Sequence, residues 1–594
     1  MKTIVFDTEV FKNLFLFCGL ILDTKTYFHI WGDEDDARAQ IKDLFKSNNT
    51  FISFNGNKYD MPVIAYFVSG KTFLETKQLG DEIIRNNLMP WEAERKYGFT
   101  MPKVDHIDLI EVAPSFVSLK TYGARMNMPV IQDLPFHYDA MIEDDQKQTV
   151  LKYCFNDLDT TAELYNRLQG QLQLRLEISR EYKFDARSRS DSQVAEQMFV
   201  KRLNLKRKAP SIPASVQYKL PDFIKFKTPA LKAIAERITA HEFYVRPTTG
   251  HVELPSFLKD DLVNINAGIY QMGVGGLHSQ HDRKVCYVAD DEYYVTDYDV
   301  ASYYPAIMLN CNLIPVNTGE KFLEEYRTLF YRRLEGKRIK NMVIADSLRI
   351  ALNGTFGKTA NKFSPLYSPD VMINIVLTGQ LNLLNLIEAL ESESITVISA
   401  NTDGIMLRYR KSELAIVEQI IKEFSERTGF IFEATFYRCV ALKDVNNYYA
   451  VKGDRSVKIK GIYSPPTLSK NPTAPVVSKA VANWLASGVP FEETLKSQDI
   501  NDFISVRNVT GGGVQGDEHL GRVVRWYQTT EKLPPITYAT NGNKVAKTDG
   551  AKACMTLPKN IPKDLDFNWY FQAIIKTITD IGASRFYKGN NETT

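Results

Sequence analysis

Short apolar runs alternate with helical stretches over the first 165 residues of the chain. The runs TIVFDTE, LFLFCGLIL and FISFN have the length of strands, and the segments between them carry apolar residues at helical spacing. The run at 14–22 is too short to cross a bilayer, so it predicts a buried strand. This alternation predicts one compact domain of mixed α/β type.

The rest of the chain changes between helical, strand-like and irregular patterns. A charged helical segment ends in KRLNLKRKAPSIPAS, whose basic cluster and prolines predict a linker. The polar turn of SANTDGIML, at 399–407, lies between two apolar runs and predicts a hairpin with Asp403 at its tip. The other expected elements are strands near 250 and in EYYVTDYDVASYYPAIM, charged helices over 320–365, a largely buried helix over 371–390, and strands over 430–464.

Length and composition predict a large protein that is folded throughout. A chain of 594 residues is too long for one core and suggests three to five domains. Apolar residues make up 44% and charged residues 24%, which leaves no room for extended disorder. Asp7 and Glu9 come too early for a signal peptide. The six cysteines form no CxxC pair, which argues against zinc fingers and a disulfide framework and favours a reducing cytosol.

Charge is unevenly distributed, although the net charge is only +2. Residues 201–240 carry ten Lys and Arg against two acids, and residues 321–362 carry ten against four. A single basic run is most simply a solvated face. Two such runs in one nearly neutral chain favour a polyanionic partner such as nucleic acid.

A pair of acids lies on the first predicted strand. Asp7 and Glu9 are two residues apart, so their side chains emerge on the same face. Two adjacent carboxylates repel each other unless a cation lies between them, and Mg²⁺ prefers carboxylate oxygens. A partly solvated strand edge explains a single Asp-x-Glu pair equally well.

Two further polar groups follow in the same predicted domain. Asn55, Tyr59 and Asp60 come directly after the apolar run FISF. Tyr153 and Asp157 are four residues apart and share one helix face, a geometry that suits a water held between a phenol and a metal-bound carboxylate.

In this order the three groups resemble the motifs of the DEDDy 3′→5′ exonucleases that open many DNA polymerases. The resemblance covers about 165 residues. It implies an RNase H-like fold with two metal ions, one activating the attacking water and one stabilising the leaving oxygen. The metal ligands it implies are Asp7, Glu9, Asp60 and Asp157; Tyr153 would orient the water, Lys120 would neutralise a phosphate, and Asn55 and Tyr59 would contact DNA.

A second set of candidate residues begins with Asp299, at the end of the tyrosine-rich run DYDVASYYPAIM. Tyrosines in a strand are usually packing residues. In SLRIALNGTFGK, however, Arg349, Asn353 and Phe356 share one helix face, and upstream Arg333 and Lys337 are four apart. Such a face makes a poor core but offers several charge-assisted donors to a triphosphate.

Together with SANTDGIML, these pieces resemble motifs A, B and C of the family B DNA polymerases, which read DxxSLYP, Kx₃NSxYG and YxDTDS. The resemblance spans residues 1–465. It implies a palm in which Asp299 and Asp403 hold the two Mg²⁺ of nucleotidyl transfer, with Mn²⁺ able to substitute. The same resemblance implies that Tyr304 excludes a ribose 2′-hydroxyl, that Ser302, Arg333, Lys337 and Arg349 bind the nucleotide, and that Asn353 and Phe356 face the nascent base pair.

Two shorter segments resemble DNA-contacting elements of the same family. YQMGVGGLHS is similar to the YxGG element on template DNA, and DVNNYYAVKGDRSVKIKG occupies the place of a duplex clamp. The implied DNA contacts are Tyr270, Gly275, Gly276, Tyr448, Lys458 and Lys460. The arginines of LGRVVRWY and the glycine run 511–513 would belong to a thumb that tracks phosphates.

Five positions depart from the family motifs. Motif C has Asn401 in place of its first Asp and Gly404 in place of Ser. In motif B, Arg349 replaces Lys, Gly354 replaces Ser and Phe356 replaces Tyr. Since the second Asp of motif C is the one chiefly needed for metal, we expect activity to survive with an altered metal preference.

The resemblance predicts a multidomain α/β and α+β protein, an RNase H-like exonuclease domain followed by a right-hand polymerase. The expected layout is an exonuclease domain at 1–190, a basic linker and the start of the palm at 191–290, palm with motif A at 291–319, fingers with motif B at 320–370, palm with motif C at 371–465, and thumb at 466–594.

The sequence therefore predicts a replicative, virus-like DNA polymerase with proofreading activity. The resemblance implies priming from a nucleic-acid 3′ end, because family members that prime on a protein carry sizeable inserts between these motifs and the gaps here leave little space for them. We expect a monomer in the cytoplasm, of an infected host cell if viral, that binds primer-template DNA and dNTPs but no membrane and depends on a helicase, primase, single-strand binding protein or clamp. One alternative is a nuclease or DNA-binding replication factor with a decayed polymerase site; another is a non-enzymatic protein with accidental motifs.

Overall fold

The structure is a computed structural model that describes residues 2–206, 211–273, 275–280 and 284–587. Arg207 and Lys208, from the first basic run, lie outside the described residues. The strands are β1 Thr3–Phe11, β2 Leu14–Ile21, β3 Thr26–Trp31, β4 Thr50–Ser53, β5 Asp105–Asp108, β6 Ser215–Gln217, β7 Glu242–Tyr244, β8 Leu262–Ile265, β9 Gly268–Gln271, β10 His278–Ser279, β11 Val285–Val288, β12 Tyr293–Val300, β13 Thr396–Asn401, β14 Gly404–Arg410, β15 Phe432–Asp444, β16 Asn447–Lys452, β17 Val457–Ile459, β18 Ser505–Gln515, β19 Glu518–Gln528, β20 Thr537–Tyr538 and β21 Ala551–Ala553.

Helices lie between these strands along most of the chain. They are α1 Ala37–Lys46, α2 Asp60–Val68, α3 Phe73–Asn86, α4 Pro90–Tyr97, α5 Leu109–Val112, α6 Leu119–Arg125, α7 Lys147–Arg167, α8 Gln169–Tyr182, α9 Asp191–Leu203, α10 Pro229–Ala240, α11 Ser256–Lys259, α12 Tyr303–Asn310, α13 Lys321–Arg338, α14 Met342–Thr359, α15 Pro369–Ser392, α16 Leu414–Thr428, α17 Pro475–Ser487, α18 Phe491–Leu495 and α19 Phe567–Asp580.

The chain forms two compact units, fewer than the three to five domains expected from its length. Unit 1 contains the described residues of Met1–Ser190, Pro465–Val476 and Ser497–Tyr570. Unit 2 contains the described residues of Asp191–Ser464, Val477–Lys496 and Phe571–Thr594. The segment 466–594, expected to form one C-terminal domain, is thus divided between the two units.

Unit 1 is built on a sheet with the order β3-β2-β1-β4-β5, in which β1 pairs antiparallel with β2 and parallel with β4. Alternate residues of β1 serve two separate cores. Val5 and Phe11 face one core, which includes side chains of α7, and Ile4, Phe6 and Val10 face the other. The buried strand expected at 14–22 is confirmed as β2. Because a core lies on each side of the sheet, both faces of β1 are covered.

A second sheet, β20-β18-β19-β21, also belongs to unit 1. Arg525 of β19 is fully buried, and its guanidinium donates to the carbonyl oxygens of Met128, Pro129, Cys554 and Met555. The hydrogen bonds of this side chain therefore link the C-terminal sheet to the loop after α6. The sequence interpretation of Arg525 as a phosphate contact is corrected, since its donors are used inside the fold.

Unit 2 is built on a long sheet with the order β17-β16-β15-β12-β14-β13-β10-β9-β8. The expected hairpin at 399–407 is confirmed as β13 and β14. The buried helix expected at 371–390 is confirmed as α15. By length and composition α15 could cross a membrane, but 94% of its apolar window is buried inside the fold.

Two long helices, α13 and α14, pack against each other, and α9 packs against α14. Gly354 makes this packing close, because a Cβ at 354 would lie 2.7 Å from Ala195 Cβ and 3.1 Å from the carbonyl oxygen of Asp191. Lys358 and Glu196 form a buried ion pair, 3.2 Å apart, across the same contact. The glycine that departs from the family motif is thus explained by helix packing.

Candidate functional site

Unit 1 brings four predicted acids together around β1. Asp7 and Glu9 share one face of β1, Asp60 is the first residue of α2, and Asp157 lies on α7. Asp60 is 4% exposed and Asp157 is 8% exposed, and Thr8 Oγ1 donates to Asp60 Oδ1 at 2.5 Å. We call these four residues the N-terminal acid cluster.

Burial dominates the electrostatics of the N-terminal acid cluster. Burial raises the pKa of Asp60 to about 7 and that of Asp157 to about 6. The pKa values of Asp7 and Glu9 are raised well above their usual range, first by burial and then by the neighbouring carboxylates. Charged acids in such a site require a cation for compensation.

Lys120 and Tyr153 lie next to this cluster. The Lys120 ammonium is 5.0 Å from the Tyr153 ring centroid and 3.4 Å from Asp133 Oδ1. Its charge lowers the pKa of Asp157 and partly offsets the effect of burial there. Burial and Asp157 raise the pKa of the Tyr153 phenol, so it stays a proton donor.

The loop before Asp60 is held by backbone hydrogen bonds, and within it the Tyr59 N–H donates to the Asn55 carbonyl oxygen at 3.1 Å. Asn55 has a left-handed backbone with φ 67°, and its N–H donates to Asp108 Oδ1 at 2.7 Å. Asn57 donates its N–H to the other oxygen at 2.9 Å. Asp108, at the end of β5, is 1% exposed and was not identified from the sequence. No local spacing signals its role in this loop, because Asn55 and Asn57 are more than fifty residues away from it in the chain.

Cys154 is a second residue that the sequence interpretation missed. Its Sγ lies 3.9 Å from Asp7 Oδ2. Potential ligand atoms of Asp7, Glu9 and Cys154 all lie within 4.8 Å of one another. The carboxylate oxygens of this group fit the ligand preference of Mg²⁺. Cys154 directly follows Tyr153 in YCFND, which is the signal that could have found it.

Unit 2 brings Asp299 and Asp403 to the same end of its sheet. Asp299, on β12, pairs with Gly404, and the Val300 N–H donates to the Asp403 carbonyl oxygen at 2.8 Å. A cavity of about 420 Å³ opens here; we call it the hairpin cavity. Its lining is Asp297, Asp299, Ser399, Asn401, Thr402, Asp403, Gly404, Met406, Val445, Asn446, Tyr448, Lys458 and Lys460. Burial and Asp299 raise the pKa of Asp403, while Lys460 and Lys458 oppose this.

Gly404 permits the close approach of the two strands. A Cβ at 404 would collide with Asp299 Oδ1 and would lie 3.2 Å from the Tyr298 carbonyl oxygen. The glycine at this motif position therefore leaves room for the Asp299 carboxylate.

The Asn401 side chain makes hydrogen bonds inside the hairpin cavity. Its Nδ2 donates to Asn446 Oδ1 at 3.2 Å, and its Oδ1 accepts from Thr402 Oγ1 at 3.1 Å. Thr402 has φ 55°, and a Cβ on Gly276 would lie 2.9 Å from Thr402 Oγ1. The segment with Gly275 and Gly276 thus packs directly on the hairpin tip.

Asp297 and Lys458 form an ion pair in the hairpin cavity that the sequence did not reveal. Lys458 Nζ is 3.1 Å from Asp297 Oδ2 and 3.8 Å from Asp299 Oδ2. Burial raises the pKa of Asp297, and Lys458 opposes this. Lys458 was expected to contact DNA, but here its ammonium is directed at two carboxylates. Asp297 is visible in the sequence only as the period-two neighbour of Asp299.

Several predicted nucleotide-binding residues are adjacent in space. Arg333 donates to the Ser302 hydroxyl, and Arg333 is only 8% exposed. The Tyr304 ring lies 4.6 Å from that of Phe356, and its hydroxyl donates to the Gly275 carbonyl oxygen at 3.2 Å. These contacts join α12, α13 and α14 around one side of the hairpin tip.

Four further residues are predicted to bind the nucleotide or DNA. Lys337 pairs with Glu433 at 3.5 Å, and Arg349 pairs with Asp346 on its own helix at 3.3 Å. Asn353 is exposed on α14, one turn after Arg349. Tyr270 is fully buried on β9 against Gly268, so its side chain has no surface to offer to DNA. We leave Tyr270 out of the proposed DNA contacts.

Comparisons with known proteins give a partial match. No protein-family model matches the sequence. A segment of 171 residues is 26% identical to DNA polymerase 1 of Saccharolobus solfataricus and covers 27% of this chain and 18% of that protein. The structure also aligns with the family B DNA polymerase from the hyperthermophilic archaeon Pyrobaculum calidifontis, with 13% identity, a TM-score of 0.40, and coverage of 98% of this chain and 78% of that chain. The chain thus spans less than a fifth of the length of the curated relative that it matches.

Proposed function

We propose that the chain is a template-directed DNA polymerase that adds dNMPs to a primer 3′-hydroxyl. The observation that carries this proposal is the hairpin cavity, where Asp299 and Asp403 meet although a helical insertion separates them in the sequence. The carboxylates have the chemistry to hold Mg²⁺, with Mn²⁺ able to substitute. A divalent cation bound there would activate the primer hydroxyl and neutralise the triphosphate. The partial match to a DNA polymerase supports the same assignment.

The nucleotide would bind beside the hairpin, between α12, α13 and α14. Arg333 supports this, because its Nε is buried and has no hydrogen-bond partner among the described residues. A phosphate oxygen would satisfy that donor. Lys337 and Arg349 would add charge, and Tyr304, whose ring contacts that of Phe356, would lie under the sugar and exclude a 2′-hydroxyl. In this proposal β12–β15 are the palm and α13–α14 the fingers.

Unit 1 would carry a 3′→5′ proofreading exonuclease of the DEDDy type. The strand order β3-β2-β1-β4-β5, with acids on the central strand, supports an RNase H-like domain. Asp7, Glu9, Asp60 and Asp157 would hold the catalytic cations, and Tyr153 would orient the attacking water. Lys120 would approach the scissile phosphate.

The short spacing between the polymerase motifs supports a compact, virus-like replicative enzyme. We propose a monomer that extends nucleic-acid primers and relies on a helicase, primase, single-strand binding protein or clamp of its own replication system. Extension of a primed circle over kilobases by the chain alone would contradict that dependence.

The test is primer extension with Mg²⁺ and dNTPs on a defined template. The wild-type chain should add the nucleotides that the template specifies and stop when the required dNTP is left out. Asp403→Ala should abolish extension, and Asp291→Asn, an exposed acid before β12, should leave it unchanged. Absence of extension by the wild-type chain together with degradation of the primer would favour the alternative, a nuclease with a decayed polymerase site.

A further inference from the structure

Asp297 is a buried acid that the proposed chemistry does not use. It lies two residues before Asp299 on β12, so both side chains point to the hairpin cavity. The Asp297 side chain is 5% exposed, whereas that of Asp299 is 46% exposed. A carboxylate this deep needs a partner charge.

Lys458 provides that charge from a distant strand. It lies on β17, and its side chain reaches over β16 and β15 to β12. Its ammonium is 3.1 Å from Asp297 Oδ2 and 3.8 Å from Asp299 Oδ2, and the Tyr437 hydroxyl donates to the same Asp297 oxygen at 3.4 Å. The lysine is therefore shared by the two acids and lies closer to the buried one.

An ammonium and a divalent cation compete for the same carboxylate oxygens. If Lys458 paired fully with Asp299, it would occupy the space in which Asp299 and Asp403 could bind a cation. Asp297 offers the lysine an alternative partner deeper in the cavity. It also adds a negative charge, so that three carboxylates face Lys458 and Lys460.

We propose that Asp297 is a positioning residue that holds Lys458 beside the Asp299 carboxylate and so keeps Asp299 and Asp403 open to divalent cations. This inference rests on the proposed function, because it assigns cation binding to those two acids. Asp297 itself is not a cation ligand in this scheme. Its partner is the lysine, and its effect is on the affinity of the neighbouring site.

The test is Mn²⁺ titration of the full-length chain without DNA, followed by the electron paramagnetic resonance signal of free Mn²⁺. The parent carries Asp7→Ala and Glu9→Ala, so that the N-terminal acid cluster does not contribute. Asp297→Asn should weaken binding at least about tenfold, because Lys458 shifts onto Asp299 and one negative charge is lost. The double variant Asp297→Asn/Lys458→Met should recover much of this loss, because the competing ammonium is gone.

Lys458→Met alone should bind Mn²⁺ as tightly as the parent or more tightly, and this variant keeps the test valid if Asp297→Asn folds poorly. Asp291→Asn removes an exposed charge from the segment just before β12. This variant is the matched control and should bind Mn²⁺ as tightly as the parent. Parent-like affinity of Asp297→Asn, or weaker binding by Lys458→Met, would overturn the inference.

Asp403→Ala separates this inference from the proposed function. If Asp403→Ala loses Mn²⁺ and Asp297→Asn does not, the cavity binds cations but Asp297 has no part in it. If parent and Asp403→Ala bind Mn²⁺ equally, the hairpin cavity is not the cation site, and the proposed polymerase centre fails with the inference.

Discussion

The N-terminal acid cluster and the hairpin cavity place carboxylates in very different electrostatic settings. In the cluster, Asp60 and Asp157 are almost completely buried, and the nearest lysine, Lys120, is engaged with Asp133. In the hairpin cavity, Lys458 pairs directly with the most buried acid, Asp297. Lys120 therefore offsets the charge of the first site only from a distance, whereas in the second site a lysine contacts the buried acid directly.

This difference predicts that the two sites respond separately to substitution. Asp7→Ala should lower exonuclease activity on a mismatched primer end roughly a thousandfold while primer extension continues, because it removes a cation ligand. Asp403→Ala should do the reverse. Parallel assays of both activities on both variants, with circular dichroism as a folding control, make the measurement. Equal damage to both activities by either substitution would contradict the two-site account.

Gly404→Ala should damage the hairpin cavity without removing any ligand. The added Cβ would collide with Asp299 Oδ1 and displace that carboxylate. A displacement of about 1 Å at a reacting centre costs roughly a hundredfold in rate. Single-turnover primer extension should show this loss, with exonuclease activity retained. Gly453→Ala is the control, since a Cβ there meets nothing within 4 Å, and equal rates for the two variants would contradict the geometry.

Tyr304→Ala should raise ribonucleotide incorporation roughly tenfold, because the ring that contacts Phe356 would no longer fill the space under the sugar. Tyr304→Phe keeps the ring and loses only the hydrogen bond to Gly275, so it should resemble the wild type. Competition between rCTP and dCTP opposite a template dG provides the readout. An unchanged ratio for Tyr304→Ala would remove Tyr304 from this role.

The stability of the metal-free chain should depend on pH through the N-terminal acid cluster. The pKa of Asp60, about 7, and that of Asp157, about 6, lie above the usual value of 3.8, so the folded state binds protons more tightly than the unfolded chain. The resulting contribution to the free energy of unfolding is complete below pH 3.8 and is lost as pH rises through 6 to 7. It should amount to about 1–4 kcal/mol for Asp60.

Thermal unfolding in EDTA between pH 5 and 7.5 measures this effect. The Tm should fall with rising pH, and Mg²⁺ should restore it most at pH 7.5. Asp60→Asn should flatten the dependence, whereas Asp403→Asn should change it less. Identical slopes for Asp60→Asn and the wild type would show that the cluster is not the source.

Local patterns predicted much of both sites. The hairpin around Asp403 and the helix carrying Tyr153 and Asp157 follow from polar turns and helical spacing, and the structure confirms these elements. The DxE and DYD pairs are period-two patterns on strands. Of these, Asp7, Glu9 and Asp299 were identified as candidates, but Asp297 was not.

Residues whose roles depend on distant contacts were not predictable in this way. The role of Asp108 in the loop before Asp60 depends on backbone N–H groups more than fifty residues away. The role of Lys458, on β17, depends on carboxylates of β12, three strands away in the sheet. The basic character of Arg525 suggested a phosphate contact, yet four carbonyl oxygens from two distant segments consume its donors. Tyr270 is likewise buried by the packing of the whole sheet, which local sequence patterns do not reveal.

The central claim is that Asp299 and Asp403 share cations in the hairpin cavity. Anomalous diffraction from crystals of the chain with primer-template, an incoming dNTP and Mn²⁺ tests it most directly. The account predicts Mn²⁺ peaks about 2–2.5 Å from carboxylate oxygens of both residues, with the triphosphate beside Arg333. A bound nucleotide with no Mn²⁺ peak between Asp299 and Asp403 would contradict it.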